Sequence, residues 1–121
     1  MKIAILLNGT RISPRYGFAN DMLLVSIQGG KVVNKERLSL KGLTPYQIPA
    51  YLASLGVTKV IAGGIHQRFQ ELFKERNIQL IWGIIGDAED ALNWFLKGRL
   101  TSGIGICYSN NRRRRRRGRN F

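Results

Sequence analysis

The chain has 121 residues, 44% of them hydrophobic, and a formal net charge of +13. That suits one domain with one hydrophobic core, and no apolar run is long enough to span a membrane. The single Cys107 excludes an internal disulfide and agrees with a reducing, cytoplasmic setting, and the opening segment turns polar too soon for a signal peptide.

Ile3–Leu7 reads as a short buried strand. Residues 8–20 hold Gly9, Pro14, Gly17 and Asn20 and read as a loop. Met22–Ile27 is a second strand, and Gln28-Gly29-Gly30-Lys31 is a hairpin signal, because paired glycines accept the positive φ angles of a tight turn. Lys31–Leu40 returns as the third strand. The period then lengthens to about 3.6. Pro45–Leu55 is a helix stopped by Gly56, with its regular part starting near Ile48 because Pro49 suits only the first turn. Thr58–Ala62 is a strand, Ile65–Arg76 an amphipathic helix, and Ile78–Trp82 the fifth strand. Asp87–Lys97 is the last helix, with Asp87 as N-cap, Gly98 as its stop, and Ala88, Ala91, Leu92 and Phe95 facing inward.

The order β-β-β-α-β-α-β-α implies a mixed five-stranded sheet with helices packed on it. If strands one, four and five are parallel, their carboxyl ends share one edge. That edge carries Asn8-Gly9, Gly63-Gly64 and Trp82-Gly83, and ligands of open α/β sheets bind at such an edge. Gly63 and Gly64 also strip side chains from a helix start, which leaves the N–H groups near Ile65 and His66 to face a guest. His66, the one histidine, and Arg68 follow at once. This combination points to an anionic or metal-containing guest.

Charge is uneven. Residues 112–121 hold seven arginines and no acid, which leaves thirteen basic against seven acidic residues elsewhere. The expected organisation is a folded domain over residues 1–107 and a disordered arginine-rich tail over 108–121. Arg112, Arg113, Arg114, Arg115, Arg116, Arg117 and Arg119 would attract nucleic acid or another polyanion in a salt-dependent way, or dock an acidic partner.

Several blocks together carry a family resemblance: the opening strand, Ser13-Pro14-Arg15-Tyr16-Gly17-Phe18-Ala19, Pro45-Tyr46-Gln47-Ile48-Pro49, Gly56-Val57, Val60-Ile61-Ala62-Gly63-Gly64-Ile65 and Ile81-Trp82-Gly83. Their spacing resembles the dinitrogenase iron-molybdenum cofactor biosynthesis family of small cofactor carriers and accessory domains, over roughly residues 1–107. The resemblance implies a ribonuclease H-like α/β fold. It also implies binding of an iron-sulfur-type cluster or iron-molybdenum-like cofactor, exchanged with cluster donor and acceptor proteins, without turnover. Asn8 stands where relatives often have an acidic residue, and arginines stand where many have a Gly/His/Cys-rich tail.

On that reading Asn8, Gly9, Arg15, Tyr16, Gly63, Gly64, Ile65 and Arg68 contact the cofactor, and His66 and Cys107 are candidate metal ligands. Against it, His66 reads equally as a half-buried packing histidine and Cys107 as a small hydrophobe ending the fold. One Cys and one His fall short of the four ligands of a standard iron-sulfur cluster. A preassembled cluster held by hydrogen bonds and charge, or ligands from elsewhere, would then be required. Enzyme readings lack their parts: clustered carboxylates for two-metal chemistry, a P-loop, a CxxC pair and a nucleophile elbow are missing from the sequence.

Overall fold

The computed structural model describes residues 1–103 and the backbone of Ile106–Cys107. Strand β1 (Lys2–Asn8) is followed by the two-residue β2 (Arg11–Ile12), a 3-10 turn (Tyr16–Phe18), β3 (Asp21–Gln28) and β4 (Lys31–Ser39). Then come α1 (Ile48–Ser54), β5 (Val57–Ile61), α2 (Gln67–Glu75), β6 (Gln79–Ile81), β7 (Ile84–Ile85), α3 (Ala88–Leu96) and β8 (Ile106–Cys107).

The main sheet runs β4-β3-β1-β5-β6, with β2 paired to β1 as its sixth strand. β1, β5 and β6 are parallel, as expected for a shared carboxyl edge, while β3 is antiparallel to both β1 and β4. The expected five strands are thus six, and β7 and β8 form a separate parallel pair. β2 and β7 have two residues each, too short for a hydrophobic period to register.

β1 explains the layering. Ala4 and Leu6 pack with Ile48 and Leu52 of α1 and Phe73 of α2. Ile3, Ile5 and Leu7 point the other way, to Ala88, Ala91 and Leu92 of α3. Alternate side chains leave opposite faces of a strand, so a strand covered on both sides reads as one apolar run. The fold is therefore a mixed α/β sheet with α1 and α2 on one face and α3 on the other.

The turn chemistry follows the sequence closely. Gly29 and Gly30 take φ of 59° and 78° and close the β3–β4 hairpin. The Asp87 carboxylate accepts a hydrogen bond from the Glu89 N–H at 2.8 Å and caps α3. The α2 helix starts at Gln67, two residues later than expected, because His66 takes an extended backbone and serves as N-cap. Among the described residues no helix is long and apolar enough to cross a membrane.

Beyond β5 the chain meets the loop that follows β2. A Cβ on Gly63 would lie 2.2 Å from the Ser13 carbonyl oxygen and 2.9 Å from that of Pro14. Both neighbours are backbone and have little room to yield. On Gly64 the nearest atom would be the Pro14 oxygen, at 3.1 Å. Gly63→Ala should therefore lower unfolding free energy by about 2–3 kcal/mol, and Gly64→Ala by clearly less. Urea titration of both variants checks the order; equal effects would contradict it.

Candidate functional site

The carboxyl ends of β1 and β5 diverge. From β1 the chain leaves toward β2 and β3, and from β5 it leaves toward α2 and β6. Such a divergence opens a crevice at the sheet edge. Here the Ser13–Gly17 loop fills it. The Gly64 N–H donates to the Pro14 carbonyl at 2.8 Å, and the Tyr16 N–H donates to the Gly64 carbonyl at 2.8 Å. The Gly63 carbonyl accepts from the Gly83 N–H at 2.9 Å. The glycines after β5 thus admit a neighbouring backbone, and Gly64 spends both its N–H and its carbonyl on it.

An open cleft of about 430 Å³ remains outside this seam, between the loop and the start of α2. Pro14, Arg15, Tyr16 and Gly17 line one side, and Gly64, Ile65, His66 and Phe69 the other. The expected site residues Arg15, Tyr16, Gly64, Ile65 and His66 are brought together here. Phe69 was legible only as part of the apolar stripe of α2.

Other expected residues lie elsewhere. Gly63 is buried under the loop. Asn8 and Gly9 form the β1–β2 turn, where the Gly9 carbonyl accepts from Arg37 at 2.9 Å. The adjacent Thr10 carbonyl accepts from the Ala88 N–H, which places this turn over α3, away from the cleft. Arg68 stands outside the lining, donating to the Tyr46 hydroxyl at 3.2 Å with its guanidinium 5.6 Å from the Phe69 ring centre. The Cys107 side chain and the arginines at 112–117 and 119 lie outside the described residues.

Tyr16 is the pivot of the loop. Only 2% of it is exposed. Its ring packs 5.3 Å from Phe69 and 5.7 Å from Phe73, and its hydroxyl donates to the Pro45 carbonyl at 2.6 Å. Burial holds its phenol well above the ordinary tyrosine range.

His66 is exposed, which removes the half-buried packing reading. Its Nδ1 accepts a hydrogen bond from the Arg68 N–H at 3.2 Å. A neutral ring whose Nδ1 accepts carries its proton on Nε2 and presents a donor there. Ile65 and His66 themselves make no backbone N–H hydrogen bond among the described residues. No carboxylate lines the cleft, and no group of three His, Cys, Asp or Glu able to hold a metal occurs among the described residues. The arrangement is an open, donor-rich surface with one guanidinium, suited to an anion.

Comparison with known proteins agrees with this class of small α/β domain. The family model for dinitrogenase iron-molybdenum cofactor matches residues 1–98, and the chain belongs to that family. It is 26% identical over 106 residues to the uncharacterised protein MJ0580 of Methanocaldococcus jannaschii, covering 83% of this chain and 89% of that protein. The crystal structure of PH0822 is similar with a TM-score of 0.78 at 25% identity, covering 84% of this chain and 94% of that one. The apo form of the orange protein from Desulfovibrio gigas shares the fold, with a TM-score of 0.70 at 18% identity over 84% and 92% of the two chains.

Two outcomes follow. A buried phenol with a raised pKa contributes stability that is complete below the unfolded-state value and is lost as pH rises past it. Wild type should therefore lose more unfolding free energy than Tyr16→Phe between about pH 9 and pH 11, measured by urea titration at each pH. At neutral pH the Phe variant should be weaker by about 1 kcal/mol, having left the Pro45 carbonyl without its donor. His66→Ala removes a helix cap and should cost about 1 kcal/mol, while His66→Asn, itself a good cap, should cost little. Thermal unfolding of the two variants separates these cases.

Proposed function

We propose that this protein is a non-catalytic carrier that captures a preassembled anionic metal cluster, of iron-sulfur or iron-molybdenum type, and hands it on. Membership of the dinitrogenase iron-molybdenum cofactor family supplies the class of cargo. The single observation that carries the reading is the cleft itself, which Arg15, Ile65 and His66 line with no carboxylate beside them, and whose Ile65 and His66 N–H groups make no backbone hydrogen bond among the described residues. The ribonuclease H-like description of the fold, a cytoplasmic setting, and donor and acceptor proteins as partners belong to the same reading.

The donor set suits a cluster that arrives complete. A cluster built on the protein needs several thiolate or imidazole ligands, whereas a completed anionic cluster needs charge and hydrogen-bond donors. His66 suits the second role. Ligation through Nδ1 takes the lone pair that caps α2, and ligation through Nε2 moves the ring proton to Nδ1, which then cannot accept from Arg68. Either mode gives up the cap. As an Nε2–H donor His66 anchors the cargo with the cap intact. Cys107 is the remaining candidate ligand.

The test is anaerobic loading with iron and sulfide, and separately with isolated cofactor, followed by quantification of bound metal. Wild type should bind stoichiometrically with at least one of these guests. Arg15→Glu should weaken binding at least about tenfold, since a charge-assisted hydrogen bond is worth roughly 1.5–3 kcal/mol. His66→Asn should retain binding better than His66→Ala, and Cys107→Ala reports whether the thiolate takes part. No metal on wild type with either guest, or wild-type binding by Arg15→Glu, would overturn the carrier reading.

A further inference from the structure

The carrier reading leaves two large apolar side chains on the surface unused. Phe18 is 65% exposed and Tyr46 is 57% exposed, and neither lines the cleft. They share one rim. The Tyr16 hydroxyl bonds the Pro45 carbonyl, and a Cβ on Gly17 would lie 3.9 Å from the Pro45 ring. Phe18 and Tyr46 are the next residues in the chain after those two contacting segments. Exposed aromatics on two segments that touch mark an interaction surface, because water solvates them poorly.

Their neighbours are cations. Arg68 donates to the Tyr46 hydroxyl at 3.2 Å and lies over Phe69, and Tyr46 meets Phe69 at 5.0 Å in a T-shaped contact. Arg15 lines the adjoining cleft. The other described clefts lack this combination. One at the β3–β4 turn carries no charged side chain, and those beside β6 and beside Asp87 include carboxylates. The chain as a whole carries +13, with seven arginines in its last ten residues.

From this juxtaposition of exposed Phe18 and Tyr46 with Arg15 and Arg68, in so basic a chain, we propose that the rim is a stacking platform for single-stranded nucleic acid. Unpaired bases offer π-faces to the two rings, and phosphates offer negative charge to Arg15 and Arg68. A duplex satisfies only the charge, since its bases are already stacked. The two rings lie outside the cleft lining and Arg15 within it, so the platform adjoins the carrier site and shares that arginine.

Fluorescence anisotropy of the full, metal-free chain with labelled oligonucleotides of about 20 nucleotides tests it, using single-stranded DNA, single-stranded RNA and duplex over a range of salt. Single strands should bind more tightly than duplex. The double variant Phe18→Leu/Tyr46→Leu keeps apolar bulk but loses the rings. It should weaken single-strand binding by at least about tenfold with an unchanged salt slope and unchanged metal loading. The pair Phe18→Tyr and Tyr46→Phe should retain binding. Truncation before Arg112 should flatten the salt slope while leaving a preference for single strands. The proposal is overturned by any of three results: duplex and single strands bind equally, the Leu variant binds like wild type, or gel filtration shows that the rings instead hold two copies of the chain together while nucleic acid binding is unmoved. Metal loading is scored separately, so failure here leaves the carrier reading standing, and the converse holds.

Discussion

One backbone-to-backbone contact sets the geometry of the site. Gly64 exchanges hydrogen bonds with Pro14 and Tyr16, and Gly63 lies so close beneath the loop that no side chain fits. Open α/β sheets diverge at their switch edge and leave a crevice there. In this protein the chain plugs its own crevice with the Ser13–Gly17 loop. Tyr16 then pins the loop from below through Phe69, Phe73 and the Pro45 carbonyl. What remains for a guest is a shallower cleft displaced outward, toward the start of α2.

That displacement explains which parts of the site were legible in the sequence. The parallel edge, the paired-glycine hairpin and the α3 cap all follow from local periodicity or turn chemistry, and they stand where those signals put them. The Gly63-Gly64 pair marked the right place. Its reason was hidden, because the backbone it accommodates comes from residues about fifty positions earlier, and no local pattern encodes that meeting. The same cause separated Asn8 and Gly9 from the cleft. A strand end was legible, but the two-residue β2 that folds the chain back over α3 was not. His66 shows the limit of helix-start signals: Gly-Gly-Ile-His marks a start within two residues, and those two residues decide whether the ring is a helical side chain or the cap itself.

The cations of the two sheet faces include some with different partners. On the α3 side, Lys35 pairs with Glu89 and Arg37 with Asp21, at 2.8 Å and 2.7 Å. These cations are largely neutralised by their partners. On the α2 side, Arg68 is held by a hydroxyl and an aromatic face, neither of which cancels its charge, and no carboxylate lines the cleft beside Arg15. The positive end of α2 points the same way. Beside the cleft, positive charge thus meets free donors and open surface.

The kind of donor then determines the kind of binding. A guest held by thiolates leaves only when metal–sulfur bonds break, whereas backbone amides, an imidazole N–H and an exposed guanidinium release it by exchange with water. Each such bond contributes modestly in net terms, so affinity comes from several acting on one anion at once. Because the Ile65 and His66 amides lie between the α2 cap and a glycine bonded to the loop, the fold already places them, and binding then loses little conformational freedom. On the proposed carrier reading, such a set of donors combines retention with ready release, which is the physical requirement of handing a cargo from one protein to another.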